Sequence, residues 1–345
     1  MPSDPESIEA AVRAQHQRQP FSGVVQVRHD GRLLFAEAFG LADRAGRLPN
    51  TISTRFGTAS GTKTFTAVAV CQLVEAGVLS LDTRLADAVE VPLPRFDPGI
   101  TIHHLLTHTS GAPDYFDEDE LDAQADFAAA FGDLPLDQVR SPADVVPLFA
   151  GKPMKCPPGE RFHYNNGAFV LLGLSIEQAS GMSYADYIEE HVFARAGMDD
   201  AGFFEMDQLP PRTALGYLPD GRVNTRELTA RGMPDGGAFV TAGDMSHFWA
   251  ALTEGRLMGP ETAALMMRPH VEIDSSDDDG RHYGYGLWLT LRDGDVRRYT
   301  CTGADPGVAF ISALFPARQL ELTVLGNTEG DAWPLFGSLE RLIGA

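Results

Sequence analysis

Cysteine and lysine are both scarce. The 345-residue chain has three cysteines, Cys71, Cys156 and Cys301, and three lysines, Lys63, Lys152 and Lys155, among 27 basic residues. Cysteines so few and so scattered exclude a disulfide framework and a CxxC-type zinc site, leaving free thiols. Positive charge is short overall, with 48 acidic residues giving a formal net charge of -21. Such a surface repels phosphate backbones and anionic headgroups, which excludes nucleic acid and a membrane surface as partners. No apolar run is long enough to span a bilayer. The opening MPSDPESIEAAVRAQHQRQP lacks a basic start, an apolar core and a small-residue cleavage site, so a cytoplasmic location is expected. Internal repeats and low-complexity linkers are missing too. The acidic runs DEDELDAQAD (117–126) and DSSDDDG (274–280) lack the spaced carboxylates and central glycine of an EF-hand loop and read as solvated loops.

What is present is a soluble globular composition, 43% hydrophobic and 22% charged, with chain enough for a large core or two subdomains. Residues 7–18 are expected to form a helix. Two strand-like runs in GVVQVRHDGRLLFAEAFG (23–40) flank Asp30-Gly31, a hairpin signal. From Ser60 the period becomes helical, placing Lys63, Ala67, Val70, Cys71 and Val74 on one face, with Gly77 suited to a left-handed stop. Helical patterns, prolines and acidic loops fill 79–230, most apolar at 143–151 and 167–181. Strand patterns return at 283–291, 296–303, 307–316 and 320–327, followed by a helix-like tail at 333–344. This order predicts an α+β fold, an α/β sandwich whose antiparallel sheet is built from both chain ends and flanked by helices. The expected division is 1–78 with 231–345, and an inserted, mainly helical 79–230.

One lysine stands in an odd place. In FGTASGTKTFTAVAVCQLVEAG (56–77), Lys63 lies one helical turn after Ser60 in a mostly apolar segment. A serine hydroxyl is a weak nucleophile until a base takes its proton. A buried lysine can be that base, because desolvation lowers its pKa. Unpaired N–H groups at the helix start favour the negative charge that develops there. Alone, Ser-x-x-Lys reads equally as an N-cap with a snorkelling lysine. A second element, CPPGERFHYNNGAFVLLG (156–173), sets Tyr164 and Asn166 just before an apolar helix. Tyrosine can relay a proton to a leaving group, and asparagine can orient a lysine and a carbonyl; a turn with a buried tyrosine and a capping asparagine is the plain alternative.

Ser60-Gly-Thr-Lys63, LLTHTSG (105–111), PPGERFHYNN (157–166) and TGADPG (302–307) follow one another in the order and approximate spacing of the serine β-lactamase and penicillin-binding-protein superfamily. The chain resembles its class C β-lactamase and esterase branch from the hairpin at 23 to the last strand. The resemblance implies Ser60 as the acylated nucleophile, Lys63 as proton acceptor, Tyr164 as the residue sharing that proton, and Asn166 as support for Lys63 and the acyl group. It implies an oxyanion hole from the backbone N–H groups of Ser60 and Ala304, and a substrate-binding third motif at Cys301, Thr302 and Gly303. It needs neither cofactor nor metal. Asn165 stands where serine or alanine is usual, and no glutamate loop of the class A kind is apparent. Cys301 replaces the usual lysine or histidine, so a cation that grips a substrate carboxylate is missing unless Arg297 or Arg298 supplies one.

His104 and His108 are four apart, but no glutamate follows His104, and the segment reads as a structural helix end. Glycines at 57 and 61 do not make a GxSxG elbow around Ser60. Tyr283, Tyr285 and Trp288 are expected on one strand, bordering the acyl pocket. The reading is a serine hydrolase acting through an acyl-enzyme on small esters or amides, ahead of a D-amino-acid peptidase or amidase and of a β-lactamase. The contrasting reading, a non-catalytic ligand-binding relative, has only Cys301 in its favour.

Overall fold

A computed structural model describes residues 4–119, 127–274 and 279–343. An opening helix, α1 (Pro5–Arg18), carries an Asp4 cap whose carboxylate accepts from the Ser7 N–H. The first hairpin pairs β1 (Gly23–His29) with β2 (Arg32–Phe39). Its turn residues Asp30 and Gly31 have φ of 50° and 68°, the doubly left-handed turn that matches strand twist. α2 (Thr62–Glu75) follows a short 3-10 turn at Ala59–Gly61 and stops at Gly77, whose φ is 71°. The described part of 79–230 then forms helices and turns without a sheet, its longest element being α3 (Asn166–Ser180). α4 (Ala242–Thr253) leads back to β3 (Val271–Asp274), β4 (Asp279–Tyr283), β5 (Trp288–Arg292), β6 (Asp295–Asp305), β7 (Val308–Phe315) and β8 (Leu320–Gly326), and α5 (Ala332–Leu342) closes the chain.

The strands make one eight-stranded antiparallel sheet, in the order β2-β1-β8-β7-β6-β5-β4-β3. The first hairpin is thus sealed to the last strand, Val25 facing Val324 across the seam. Period-two alternation sends the two faces of the central strands to different cores. Val25, Val27, Ile311, Leu322 and Val324 pack with Leu335, Phe336 and Leu339 of α5 and with Ile8 and Val12 of α1. Val24, Phe310, Leu314 and Leu325 belong to the larger core built around α2, α3 and α4. Since α2 lies inside that core, its residues from Thr62 to Leu73 are all buried rather than one face of it.

Two expectations need correcting. The run 283–291 is not one strand: Gly284, Tyr285 and Gly286 form a turn between β4 and β5, with Thr64 of α2 donating to the Gly286 carbonyl at 2.6 Å. Tyr285 therefore leaves the sheet, while Tyr283 and Trp288 face each other across β4 and β5 with ring centroids 5.0 Å apart. The acidic runs lie mostly outside the described residues; Glu118 and Asp119 are exposed as expected, but Asp117 and Asp279 are held in ion pairs. Asp117 is buried, with Lys155 at 3.0 Å and His163 at 3.2 Å, and Asp279 sits in β4 against Arg292 and Arg297. Among the described residues, no helix is long and apolar enough to cross a membrane.

Candidate active site

The turn at Ala59–Gly61 lifts Ser60 to the mouth of α2. Ala59 has a φ of 46°, a left-handed conformation that a non-glycine residue adopts only where its surroundings enforce it. The turn packs against the edge of β6, whose pairing with β5 ends at Thr300 and leaves 301–305 without a strand on that side. Contact is so close that a Cβ on Gly303 would lie 2.4 Å from the Thr58 carbonyl oxygen and 2.5 Å from the Ser60 nitrogen. Glycine is the residue that lets strand and turn meet. This junction places Ser60 and Ala304 together on the wall of a cavity of about 290 Å³.

Lys63 projects from the first turn of α2 and is 1% exposed. Its ammonium donates to Ser60 Oγ at 2.9 Å, to Asn166 Oδ1 at 2.7 Å and to the Asp235 main-chain carbonyl at 2.7 Å. Burial lowers its pKa from 10.5, opposed in order by Asp235, Glu118, Asp114 and Asp305. The Tyr164 hydroxyl lies near Ser60, which favours its ionised form, and its ring lies 5.0 Å from the Lys63 nitrogen and 5.8 Å from Trp288, nearly parallel to it. Burial and then Glu118 push the Tyr164 phenol well above 10.

Asn166 is held at both ends. Its backbone N–H donates to Asp114 Oδ2 at 2.5 Å, and its side-chain NH₂ donates to the Phe116 carbonyl at 2.9 Å and to Glu118 at 3.3 Å. Asp114 also accepts from Gly167 N–H at 2.9 Å, so it serves the unpaired donors of α3 from another loop. The cap of α3 is Asn165, whose Oδ1 accepts from the Ala168 N–H at 2.6 Å; the neighbouring asparagine faces the site. His108 accepts at Nδ1 from Asn165 N–H at 3.0 Å, so its Nε2 donates to the Tyr283 hydroxyl at 3.1 Å. His104 instead closes a capping box with Thr101. Both histidines are structural, as their segment suggested.

Ser60, Lys63, Tyr164, Asn166 and Ala304 are thus brought together. Among the third-motif residues, Gly303 makes the strand-to-turn contact, whereas Cys301 and Thr302 turn their side chains elsewhere. Cys301 is 1% exposed, touches Thr64, and burial pushes its thiol up to about 12. Thr302 donates to the Phe310 carbonyl and accepts from Trp333 on α5. Neither side chain lines the cavity, and Arg297 and Arg298 do not fill the gap: they pair with Asp279 and Glu340.

Sequence reasoning missed the acidic groups. Tyr115 donates to Asp235 at 2.5 Å, and burial raises Asp235 above its usual range and carries Asp114 and Asp305 each to about 7. Asp305 lies inside the quoted TGADPG and Asp114 three residues beyond LLTHTSG, so both were in view. What was hidden was the folding that turns them toward Lys63.

A serine bonded to a buried lysine, beside a tyrosine and a free strand edge, defines the class of serine hydrolases with a Ser-x-x-Lys nucleophile. The sequence matches the Beta-lactamase family over residues 8–338, and the chain belongs to that family. It is 28% identical over 333 residues to penicillin-binding protein 4* of Bacillus subtilis (strain 168), covering 91% of this chain and 70% of that one. With esterase EstB of Burkholderia gladioli it shares 29% identity over 371 residues, 96% of this chain and 92% of the relative. A crystal structure of a penicillin-binding protein from Bacillus halodurans superposes with a TM-score of 0.89 at 44% identity, covering 96% and 99% of the two chains.

Proposed function

We infer that the protein hydrolyses small carboxylic esters or amides through an acyl-enzyme on Ser60. The carrying observation is the contact of 2.9 Å between Ser60 Oγ and a lysine amine stripped of water. Desolvation favours neutral lysine, which can take the serine proton as Oγ attacks the substrate carbonyl. The tetrahedral oxyanion then sits between the N–H groups of Ser60 and Ala304. Tyr164 is too weak an acid to be ionised, so its role is that of a neutral relay: it passes the proton held by Lys63 to the departing alkoxide or amine. Water repeats the cycle in reverse, giving its proton to the same pair and its hydroxide to the acyl carbon, which frees the acid and Ser60. Asn166 holds the lysine in place throughout.

EstB, by its name an esterase, and the absence of any arginine, lysine or histidine from the cavity wall among the described residues support acyl donors without a free carboxylate over those that carry one. A cytoplasmic location belongs to the same reading, supported by three buried free thiols. The test is hydrolysis of 4-nitrophenyl acetate and butyrate by wild type and Ser60→Ala. Turnover by wild type and its loss in the variant support the reading; equal rates contradict it.

A further inference from the structure

The cavity wall beside Ser60 carries three carboxyls, Glu118, Asp235 and Asp305, and, among the described residues, no cationic side chain. Among the described residues, no salt bridge reaches any of the three. Asp235 is only 5% exposed, and while its Oδ2 accepts from Tyr115, its Oδ1 has no hydrogen-bond partner among the described residues. A buried carboxylate with one bare oxygen is costly unless something cationic or protic completes it. Asp305 directly follows Ala304, and its Oδ2 stands 3.8 Å from where a Cβ on Gly236 would be, over the Ala59 backbone. The acidic wall therefore begins within one residue of the strand edge that meets the Ser60 turn. Its charge is opposite to what a carboxylate-bearing substrate needs.

We propose that this wall is a subsite for a primary ammonium group close to the scissile carbonyl, so that the favoured acyl donors are esters or amides of amino acids with a free amine. The assignment rests on the hydrolase reading above and adds its substrate class. Burial raises the Asp235 and Asp305 carboxyls although the Lys63 ammonium pulls both down, and when Lys63 is neutral, as the hydrolase reading requires, a bound ammonium supplies the cation they then lack.

The experiment compares leucine methyl ester, in each enantiomer, with methyl 2-hydroxy-4-methylpentanoate, which matches its size without the charge, at pH 7, each kcat/KM being divided by the ester's uncatalysed hydrolysis rate because an α-ammonium group activates the carbonyl more than a hydroxyl does. In wild type, kcat/KM for the better leucine enantiomer should exceed that for the hydroxy ester by about tenfold or more, the scale of one charge-assisted hydrogen bond. Asp305→Asn and Glu118→Gln should each lower that ratio by at least about threefold. Isopentylamine should inhibit hydroxy-ester turnover by wild type where isopentanol at equal concentration does not, an arm that needs no variant to fold. Turnover of the hydroxy ester with no amine advantage and no amine inhibition overturns the subsite alone. If no ester is turned over and a fluorophosphonate leaves Ser60 unlabelled, the hydrolase reading itself fails.

Discussion

Burial strips water from Lys63 and lowers its pKa, while Asp235, Glu118, Asp114 and Asp305 pull the other way by stabilising the ammonium. Burial wins, and a rate that needs the neutral amine should rise with pH through that lowered pKa. Removing an opposing carboxylate lowers the lysine pKa further, so Asp305→Asn should move the acid limb of the kcat/KM profile to lower pH. A limb that stays in place would separate it from Lys63. Because Lys63 bonds Ser60 and Tyr164 lies beside both, they should act as one unit. Lys63→Ala and Tyr164→Phe should each cost about two or more powers of ten in kcat, and the double variant far less than their product. Multiplicative losses in that cycle would mean that the two groups work independently. At this scale the sequence was most legible through its resemblance: each motif alone has a plain structural reading, and it is their shared order with the family that singles out Ser60, Lys63, Tyr164 and Asn166. Asp235 does not, because its contribution is a main-chain carbonyl and a long-range position, neither of which has a sequence signature.

The elements explain why those residues meet. The segment 59–75 reads plainly as a helix with a serine at its start, but the close approach of β6 to the Ala59–Gly61 turn depends on Gly303 having no side chain. Gly303→Val should therefore lose most ester hydrolysis, about a hundredfold or more, if the Ala304 N–H is the oxyanion donor proposed above, since a displaced strand edge moves it. A variant that folds and keeps near wild-type kcat would show that the junction does not set the geometry. Strand ends were less legible than strands: the aromatics of YGYGLWLTL read as one strand, yet Gly286 takes a φ of 66° and Thr64 of α2 holds its carbonyl, so the chain turns there. The third motif shows the same limit. Cys301 was read as a neutral residue in a substrate-binding position, yet alternation along β6 sends it into the core beneath α2, a direction fixed by register with β7 rather than by composition.

Across the whole molecule, the sheet joins both chain ends, which was legible because each end carries alternating apolar strands and the middle does not. The helices of its outer face hold that union in place: Leu339 of α5 is fully buried against β7 and β8. Leu339→Ala should destabilise the fold by about 2–5 kcal/mol, seen as a lower midpoint in urea unfolding, with kcat nearly unchanged in the folded fraction. The acidic cavity has the opposite effect on stability. Asp305 titrates near pH 3.8 when free but at about 7 in the fold, so the folded state holds its proton more tightly. Its favourable contribution is complete below about pH 4 and is lost as pH rises through 7. Asp305→Asn should accordingly gain in melting temperature relative to wild type between pH 4 and pH 8. A constant difference across that range would mean that the carboxyl is not held protonated by the fold.

Intact-mass and peptide mass analysis of protein quenched during turnover of a slow ester gives the most direct measurement of the chemistry. Wild type should gain the mass of one acyl group, located on the peptide containing Ser60, and lose it as turnover completes, while Ser60→Ala gains none. An acyl group found on another residue, or an active wild type that never carries one, would contradict the acyl-enzyme.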